Sequence, residues 1–214
     1  MSVNGLKDTI NWYDSHAEQY AEAGATYFDM SHIAKFTNEL SEGVSILDAG
    51  CGPGRDAHIL HDHGLKVTGL DLSAGLLKVA RQKYPNIDFV EGDLLSLPFG
   101  DESFDGVWSN ASLLHLETVA DVKKALSEMS RVLKPFGVIH VVVKSQTGDN
   151  KTAVVSDKLS GHDRFFQYFK MDEMINLIEG AGFNILLSKE YSEIETIPQG
   201  RPEVRLIWCL ARKG

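Results

Sequence analysis

The segment Leu47-Asp48-Ala49-Gly50-Cys51-Gly52-Pro53-Gly54-Arg55-Asp56 holds three glycines at alternate positions where a strand-like run gives way to a helical one. Glycine tolerates backbone conformations and close approaches that side chains block, and the helix that follows presents amides towards an anionic group. A small polar cofactor is therefore expected across this turn, with Cys51 inside it. Asp71 ends the next apolar run about 20 residues on, the distance at which a carboxylate accepts both hydroxyls of a ribose. Asp93, in Glu91-Gly92-Asp93-Leu94, follows the third run and marks the place for a base.

The glycine spacing is G-x-G-x-G. A dinucleotide fingerprint reads G-x-G-x-x-G/A and wants a small residue where this chain has Arg55, which argues against a nicotinamide-dependent oxidoreductase. A cation beside a helix N-terminus opposes the helix dipole, so Arg55 implies an anionic partner, either a cofactor carboxylate or an acidic substrate. Asp48, at the end of the first strand, is expected to shape the turn by accepting its amides.

Two further places carry reactive side chains. His115 follows the fourth strand at the rim where an acceptor would enter, and its imidazole titrates near neutrality; its alternatives are a general base and a structural or positioning group. Arg164, Phe165, Phe166, Tyr168 and Phe169 follow a polar stretch after the fifth strand, and Arg164 with Lys144 suits an acidic group. His58, His61, Asp62 and His63 do not place three imidazoles on one helix face, so no metal is expected.

The elements that must hold these groups alternate from Ser45 onward. Runs at 44–47, 66–70, 87–90, 104–108 and 138–143 read as strands; helices are expected at 55–63, after the Ser73 cap, at 119–133 and at 171–181. Pro135 and Gly137 are expected to end the third of these helices. Residues 145–169 read as a loop or lid, and 184–191 and 203–212 as two final strands joined by a turn holding Pro198, Gly200 and Pro202. The pattern is that of an α/β doubly wound domain.

The chain of 214 residues is 43% hydrophobic and 24% charged, with a net charge of −9, as expected of one globular unit and unfavourable for DNA or another polyphosphate. Residues 1–42 carry seven acids against two lysines. Two cysteines, no apolar run of membrane-spanning length and no signal-like start point to the cytoplasm and to no membrane role. Residues 1–42 are expected to form a helical lid and 43–214 the cofactor-binding part of a single globular domain. The oligomeric state is not legible.

The motifs ILDAGCGPGRD, VTGLDLS, FVEGDLLSLPF, FDGVWSNASLLHL and EMSRVLKPFGVIHV, in order over residues 46–143, resemble class I S-adenosylmethionine-dependent methyltransferases of the small-molecule type. The resemblance implies a Rossmann-like seven-stranded sheet, order 3-2-1-4-5-7-6 with strand 7 antiparallel and helices on both faces. It implies that S-adenosylmethionine lays its amino acid part against Gly50 and Gly52, its ribose on Asp71 and its adenine beside Leu72, Asp93 and Leu94, with Asn110 and Ala111 beneath the sulfonium; S-adenosylhomocysteine would be the product. An N-terminal helix would close the site, Tyr20 meeting the cofactor and Tyr13, with Lys144, Arg164 and Phe165, the acceptor. The acceptor is expected to be a small, acidic molecule, because the Ser109-Asn110-Ala111-Ser112 ending of the fourth strand lacks the Asn-Pro-Pro-Tyr signature of many nucleic-acid methyltransferases. RNA or protein as acceptor, or binding without catalysis, are the alternatives.

Overall fold

The computed structural model describes residues 5–24, 30–156, 163–195 and 201–214. Three helices come first: α1 (Gly5–Ser15), α2 (Ala17–Gly24) and α3 (Met30–Asn38). The alternating part follows as β1 (Ser45–Ala49), α4 (Arg55–Asp62), β2 (Lys66–Asp71), α5 (Ala74–Lys83), β3 (Asp88–Glu91), β4 (Phe104–Asn110), α6 (Val119–Val132) and β5 (Leu133–Lys144). A hairpin of β6 (Thr152–Ser156) and β7 (Asp163–Gln167), then α7 (Met171–Gly180), β8 (Phe183–Ser192) and β9 (Arg205–Lys213), complete the chain.

The main sheet runs β3-β2-β1-β4-β5-β9-β8, with β9 antiparallel to both of its neighbours. With the β6–β7 hairpin set apart, this is the expected order 3-2-1-4-5-7-6. Parallel central strands need both faces covered, and Ile46, Leu47, Val107 and Ile139 are correspondingly fully buried. Ser73 caps α5 as expected, its Oγ accepting the Leu76 amide at 3.1 Å.

Three expectations need correction. Helix α6 ends at Val132 and passes directly into β5, so Pro135 and Gly137 lie inside the strand's span, and the connection turns at Phe136, whose φ is 63°. The polar stretch after β5 is partly a two-stranded hairpin, because β-branched and aromatic residues in Thr152–Ser156 and Asp163–Gln167 pair in register, Val154 opposite Phe165. Helix α3 is no part of a lid: Ile33 and Phe36 are fully buried in one cluster with Ile46, Trp108 and Leu210. Residues 1–4 and 25–29 of the expected lid, 157–162 of the loop, and Pro198 and Gly200 of the last turn lie outside the described residues. Among the described residues no helix is long and apolar enough to cross a membrane.

Beneath α3 the core carries an aromatic and imidazole stack. His140, paired with Trp108 across β4 and β5, lies flat on the indole at 3.5 Å and 4°. His32 of α3 stacks on Trp208 at 3.8 Å. His140 is wholly buried and neither ring nitrogen meets another described residue, so burial, with His32 nearby, holds its pKa well below the ordinary 6.5. A folded-state pKa below the unfolded one means that stability is lost as pH falls below 6.5, since only the unfolded chain then takes up the proton. The stability gap between the protein and His140→Phe is therefore expected to shift against the wild type by up to about 1.4 kcal/mol per pH unit between roughly pH 6 and 5. Denaturant unfolding across that range measures it; parallel curves for the two proteins would refute the assignment.

Candidate functional site

The site is built where the carboxyl ends of β1, β2 and β4 meet, the usual place for a ligand on an open parallel sheet. Gly50 is required by the protein's own packing. A Cβ there would lie 2.2 Å from the Ser112 Cβ, because the β1 turn presses on the β4 turn, and Ser112 Oγ donates to the Ala49 carbonyl at 2.8 Å. Gly52 has the opposite reason: its φ is 54° and a Cβ there would find only Leu76 Cδ1, at 4.0 Å, on the cavity side.

The amides of the turn itself are spent within the protein. Gly50 and Cys51 both donate to the Leu70 carbonyl, and Gly52 donates to Asp71 Oδ2 at 2.8 Å. Asp48 leaves the glycine turn and faces the Ala57 amide in the first turn of α4; its Oδ2 is buried without a partner. Arg55 is answered by its neighbour Asp56, Nε to Oδ1 at 2.7 Å, so its anionic partner is internal. The other Asp56 oxygen accepts from Trp108 Nε1 at 3.0 Å and from Asn110 Nδ2 at 2.7 Å.

Three carboxylates, Asp48, Asp56 and Asp71, thus gather here, with the Arg55 guanidinium beside Asp56 and near Asp48. Burial raises the pKa of Asp48 well above the carboxylate range, helped by Asp56 and Asp71, and burial also raises that of Asp71. The same negative field, on top of burial, pushes the Cys51 thiol up, so it is no nucleophile. Such a set favours a cation. S-adenosylmethionine, with a sulfonium and an ammonium against one carboxylate, fits it, with Asp56 and Asp71 on the cavity wall and Asp48 buried behind them.

One cavity takes in Tyr20, Gly50, Cys51, Gly52, Arg55, Asp71, Leu72, Asp93, Leu94, Asn110 and Ala111. These are all the residues expected at the cofactor. Leu72 and Leu94 give two apolar walls. Asp93 spends Oδ1 on the Leu95 amide at 2.9 Å, and Asn110 points its amide at Asp56, so each also shapes the loop it belongs to. Ala111 holds a φ of 58°, a left-handed conformation fixed by its amide's bond to the Val142 carbonyl at 2.9 Å.

The acceptor side divides. Tyr13 and His115 line the cavity, whereas Lys144, Arg164 and Phe165, read from sequence as direct contacts, stand behind that wall. Arg164 Nη1 donates to the Tyr13 hydroxyl at 3.0 Å, and the guanidinium carbon is 4.9 Å from the Trp12 ring centre and 5.4 Å from that of Phe166. Lys144 Nζ sits 3.5 Å above Phe166, its pKa lowered to about 8 by burial, Arg201 and Arg164. Phe165 turns its carbonyl to His115 and its ring to Gly5. The reason is alternation along β7, which sends neighbouring side chains to opposite faces.

Helix α1 closes the cavity with Leu6, Thr9, Ile10 and Tyr13. It is hung on side-chain bonds: Glu117 accepts the Leu6 amide, Thr9 the Phe165 amide, and Asp14 both Ser73 Oγ and the Gly75 amide. Thr9, Asp14, Asp56, Ser112 and Glu117 were not singled out from sequence; only Asp56 carried a signal, as the sole anion beside Arg55. Among the described residues no cluster of His, Cys, Asp or Glu could hold a metal.

Residues 47–141 match a family model described as a methyltransferase domain. Over 99 residues the chain is 44% identical to a demethylmenaquinone methyltransferase of Renibacterium salmoninarum, a stretch amounting to 46% of this chain and 40% of that protein. It is 32% identical over 201 residues to Methyltransferase GfsG of Streptomyces halstedii, covering 88% of this chain and 69% of that protein. The chain thus spans well under half of the first relative and about two thirds of the second. In structure it resembles the Burkholderia thailandensis 1,6-didemethyltoxoflavin-N1-methyltransferase, solved with 1,6-didemethyltoxoflavin and S-adenosylhomocysteine, with a TM-score of 0.74 and 21% identity over 97% of this chain and 88% of that one.

Two predictions follow from this geometry. Asp71→Asn puts an amide N–H against one of two amide donors, and removes the charge a ribose would bond; S-adenosylhomocysteine affinity is expected to fall by roughly 10- to 100-fold, the size of one or two charge-assisted bonds. Because Asp71 also bonds Gly52 and Ser73, some loss of stability should accompany it, and calorimetry showing unchanged affinity in a folded variant would remove Asp71 from the site. Since α1 walls the cavity while held by few bonds, its amides should exchange more slowly once S-adenosylhomocysteine is bound. Equal protection with and without it would make α1 a fixed wall.

Proposed function

We propose, on the premise that this chain belongs to the class I S-adenosylmethionine-dependent methyltransferase family, that it transfers a methyl group to a small, acidic acceptor entering between α1, His115 and the β6–β7 hairpin. The observation that carries this reading is the cavity itself. One half joins a carboxylate at the end of β2 to the apolar pair Leu72 and Leu94, and the other half ends on Tyr13 and His115.

When bound, the cofactor supplies an electrophilic methyl group on a sulfonium. The chain's own residues hold and align. Asp71 would accept the ribose hydroxyls, Leu72 and Leu94 would sandwich the adenine, and Asp56 would answer positive charge. Tyr13, Tyr20 and the rest of α1 would exclude water, and alignment with dehydration is where most of the gain in such a displacement arises. His115 and Tyr13 present the polar end of the acceptor half.

Smallness is supported by the enclosure: α1 covers the cavity, and the hairpin backs it through Phe165 and Arg164. A net charge of −9 is unfavourable to RNA. An acidic group is supported by Lys144 and Arg164, two cations either side of Phe166, each close enough to oppose the other's charge.

Methyl-labelled S-adenosylmethionine offered with small carboxylic acids, phenols, amines and thiols, and separately with RNA and protein, tests the reading. Label is expected in the low-molecular-mass fraction. Label found solely in RNA or protein would overturn the small-molecule assignment. Arg164→Ala is expected to raise KM for an acidic acceptor about tenfold relative to a neutral one, through loss of its charge behind Tyr13 and not of a direct bond, with S-adenosylhomocysteine affinity unchanged. An unaltered KM would end the acidic-acceptor reading.

A further inference from the structure

The Tyr13 hydroxyl is held by Arg164, His115 and Tyr20. Arg164 can only donate, and its Nη1 is 3.0 Å from the phenol oxygen, so the hydroxyl hydrogen must go elsewhere. His115 Nε2 lies 3.2 Å away. The other ring nitrogen, Nδ1, is 2.9 Å from the Phe165 carbonyl, which can only accept. Nδ1 therefore carries the imidazole proton and Nε2 is a bare acceptor. Tyr20 also bonds the Tyr13 hydroxyl, but a second phenol can donate or accept, whereas the bare Nε2 can only accept, so the chain runs Arg164 to Tyr13, Tyr13 to His115 Nε2, and His115 Nδ1 to Phe165.

We infer that Tyr13 and His115 work as one proton-accepting pair for the acceptor, and that the β6–β7 hairpin, through the Phe165 carbonyl, sets the tautomer that makes this possible. The inference rests on the methyl-transfer reading and narrows it: the acceptor nucleophile is a hydroxyl or an N–H group that must lose a proton. Tyr13, on the cavity wall, takes the acceptor's proton on its oxygen as its own hydrogen passes to His115 Nε2. The acceptor is one proton poorer, the imidazole becomes an imidazolium held by the Phe165 carbonyl, and that proton passes to water when α1 opens. Nothing is oxidised or reduced.

The hairpin docks as part of this device. Its Phe165 amide donates to Thr9 Oγ1 at 3.2 Å, and the Phe165 ring packs so close to Gly5 that a Cβ there would come within 3.1 Å. Thr9 is itself buried and donates to the Gly5 carbonyl at 2.6 Å. The lid helix and the tautomer-setting carbonyl thus arrive together, so the pair is complete only when the site is shut. The groups facing His115 are Tyr13 from α1, Arg164 and Phe166 from β7, and Lys144 from β5. Burial, with Arg164 and Lys144, lowers its pKa to about 4. An anionic group on the acceptor would offset those two cations, which makes the pair a better base for an acidic acceptor than for a neutral one.

Two measurements on the full chain test this. With S-adenosylhomocysteine bound, nitrogen NMR of labelled histidine is expected to show His115 as the neutral Nδ1–H tautomer, and Tyr13→Phe to shift its Nε2 resonance towards that of an unbonded nitrogen. An Nε2–H tautomer would overturn the proposal. In turnover, Tyr13→Phe and His115→Gln are each expected to lower kcat roughly 100-fold or more for a hydroxyl or amine of the acceptor panel, the range of general base catalysis, with KM and S-adenosylhomocysteine affinity little changed. A thiol from the panel, already a thiolate at pH 9, should be methylated by wild type and variants alike. Equal losses for thiol and hydroxyl would mean a structural role and sink the pair, whereas failure of the wild type to bind S-adenosylhomocysteine would strike at the methyl-transfer reading itself.

Discussion

The carboxylate of Asp71 ties two turns into one platform. One oxygen accepts the Gly52 amide from the β1–α4 turn, the other the Ser73 amide at the head of α5, at 2.8 and 2.9 Å. Ser73 in turn donates to Asp14 of α1 at 2.7 Å, so the lid helix hangs from the same corner. Each bond is modest, about 1.5–3 kcal/mol for a charged partner, but they are made in a site from which water is largely removed, where leaving a donor unmet costs as much again. Asp71 thus links the β1–α4 turn to α1 through Ser73 and Asp14, beside the bonds that α1 makes to Glu117 and Phe165.

A second constraint is charge. The protein places Asp48, Asp56 and Asp71 at the carboxyl ends of two strands and the start of one helix, with Arg55 as the near cation of the first two, and burial forces Asp48 and Asp71 towards protonation. Isolated buried charge is expensive, so such a group persists only where a partner arrives or a proton is held. A cationic ligand removes the conflict, which makes binding and the stability of the turn one problem. Trp108 and Asn110 divide what remains of Asp56, linking this electrostatic centre to the stacked core of Trp108 and His140 behind the sheet.

On the opposite side the sign is reversed. Lys144 at the end of β5, Arg164 near the start of β7 and Arg201 before β9 gather there, and burial, with the charges of Arg201 and Arg164, lowers the pKa of Lys144 to about 8. The cavity therefore has an anionic end and a cationic backing, separated by Tyr13, His115 and Phe166. A ligand pair of opposite polarity, a cationic donor and an anionic acceptor, would be oriented by that gradient before any contact forms.

Local periodicity was enough to reveal the alternating strands and helices, because burial of both faces of a parallel sheet leaves near-continuous apolar runs, and right-handed crossovers then restrict their order. Ten of the eleven cavity residues expected at the cofactor were legible for the same reason: they follow the ends of predicted strands, and a strand end is a place the sequence itself marks; Tyr20, in α2, came from the resemblance alone. Side-chain partnerships across long separations were not. Tyr13 and His115 are 102 residues apart, Arg164 and Tyr13 151, and Phe165 and His115 50, and no spacing rule relates them. Chain position and the resemblance suggested that Arg164, Lys144 and Phe165 touch the acceptor; only the fold decided that Tyr13 and His115 stand between them and the cavity, because α1 packs over β7. Likewise the sequence by itself determined that Gly50 must be glycine, and only the tertiary structure showed that the reason is Ser112, pressed against it from the neighbouring strand's turn.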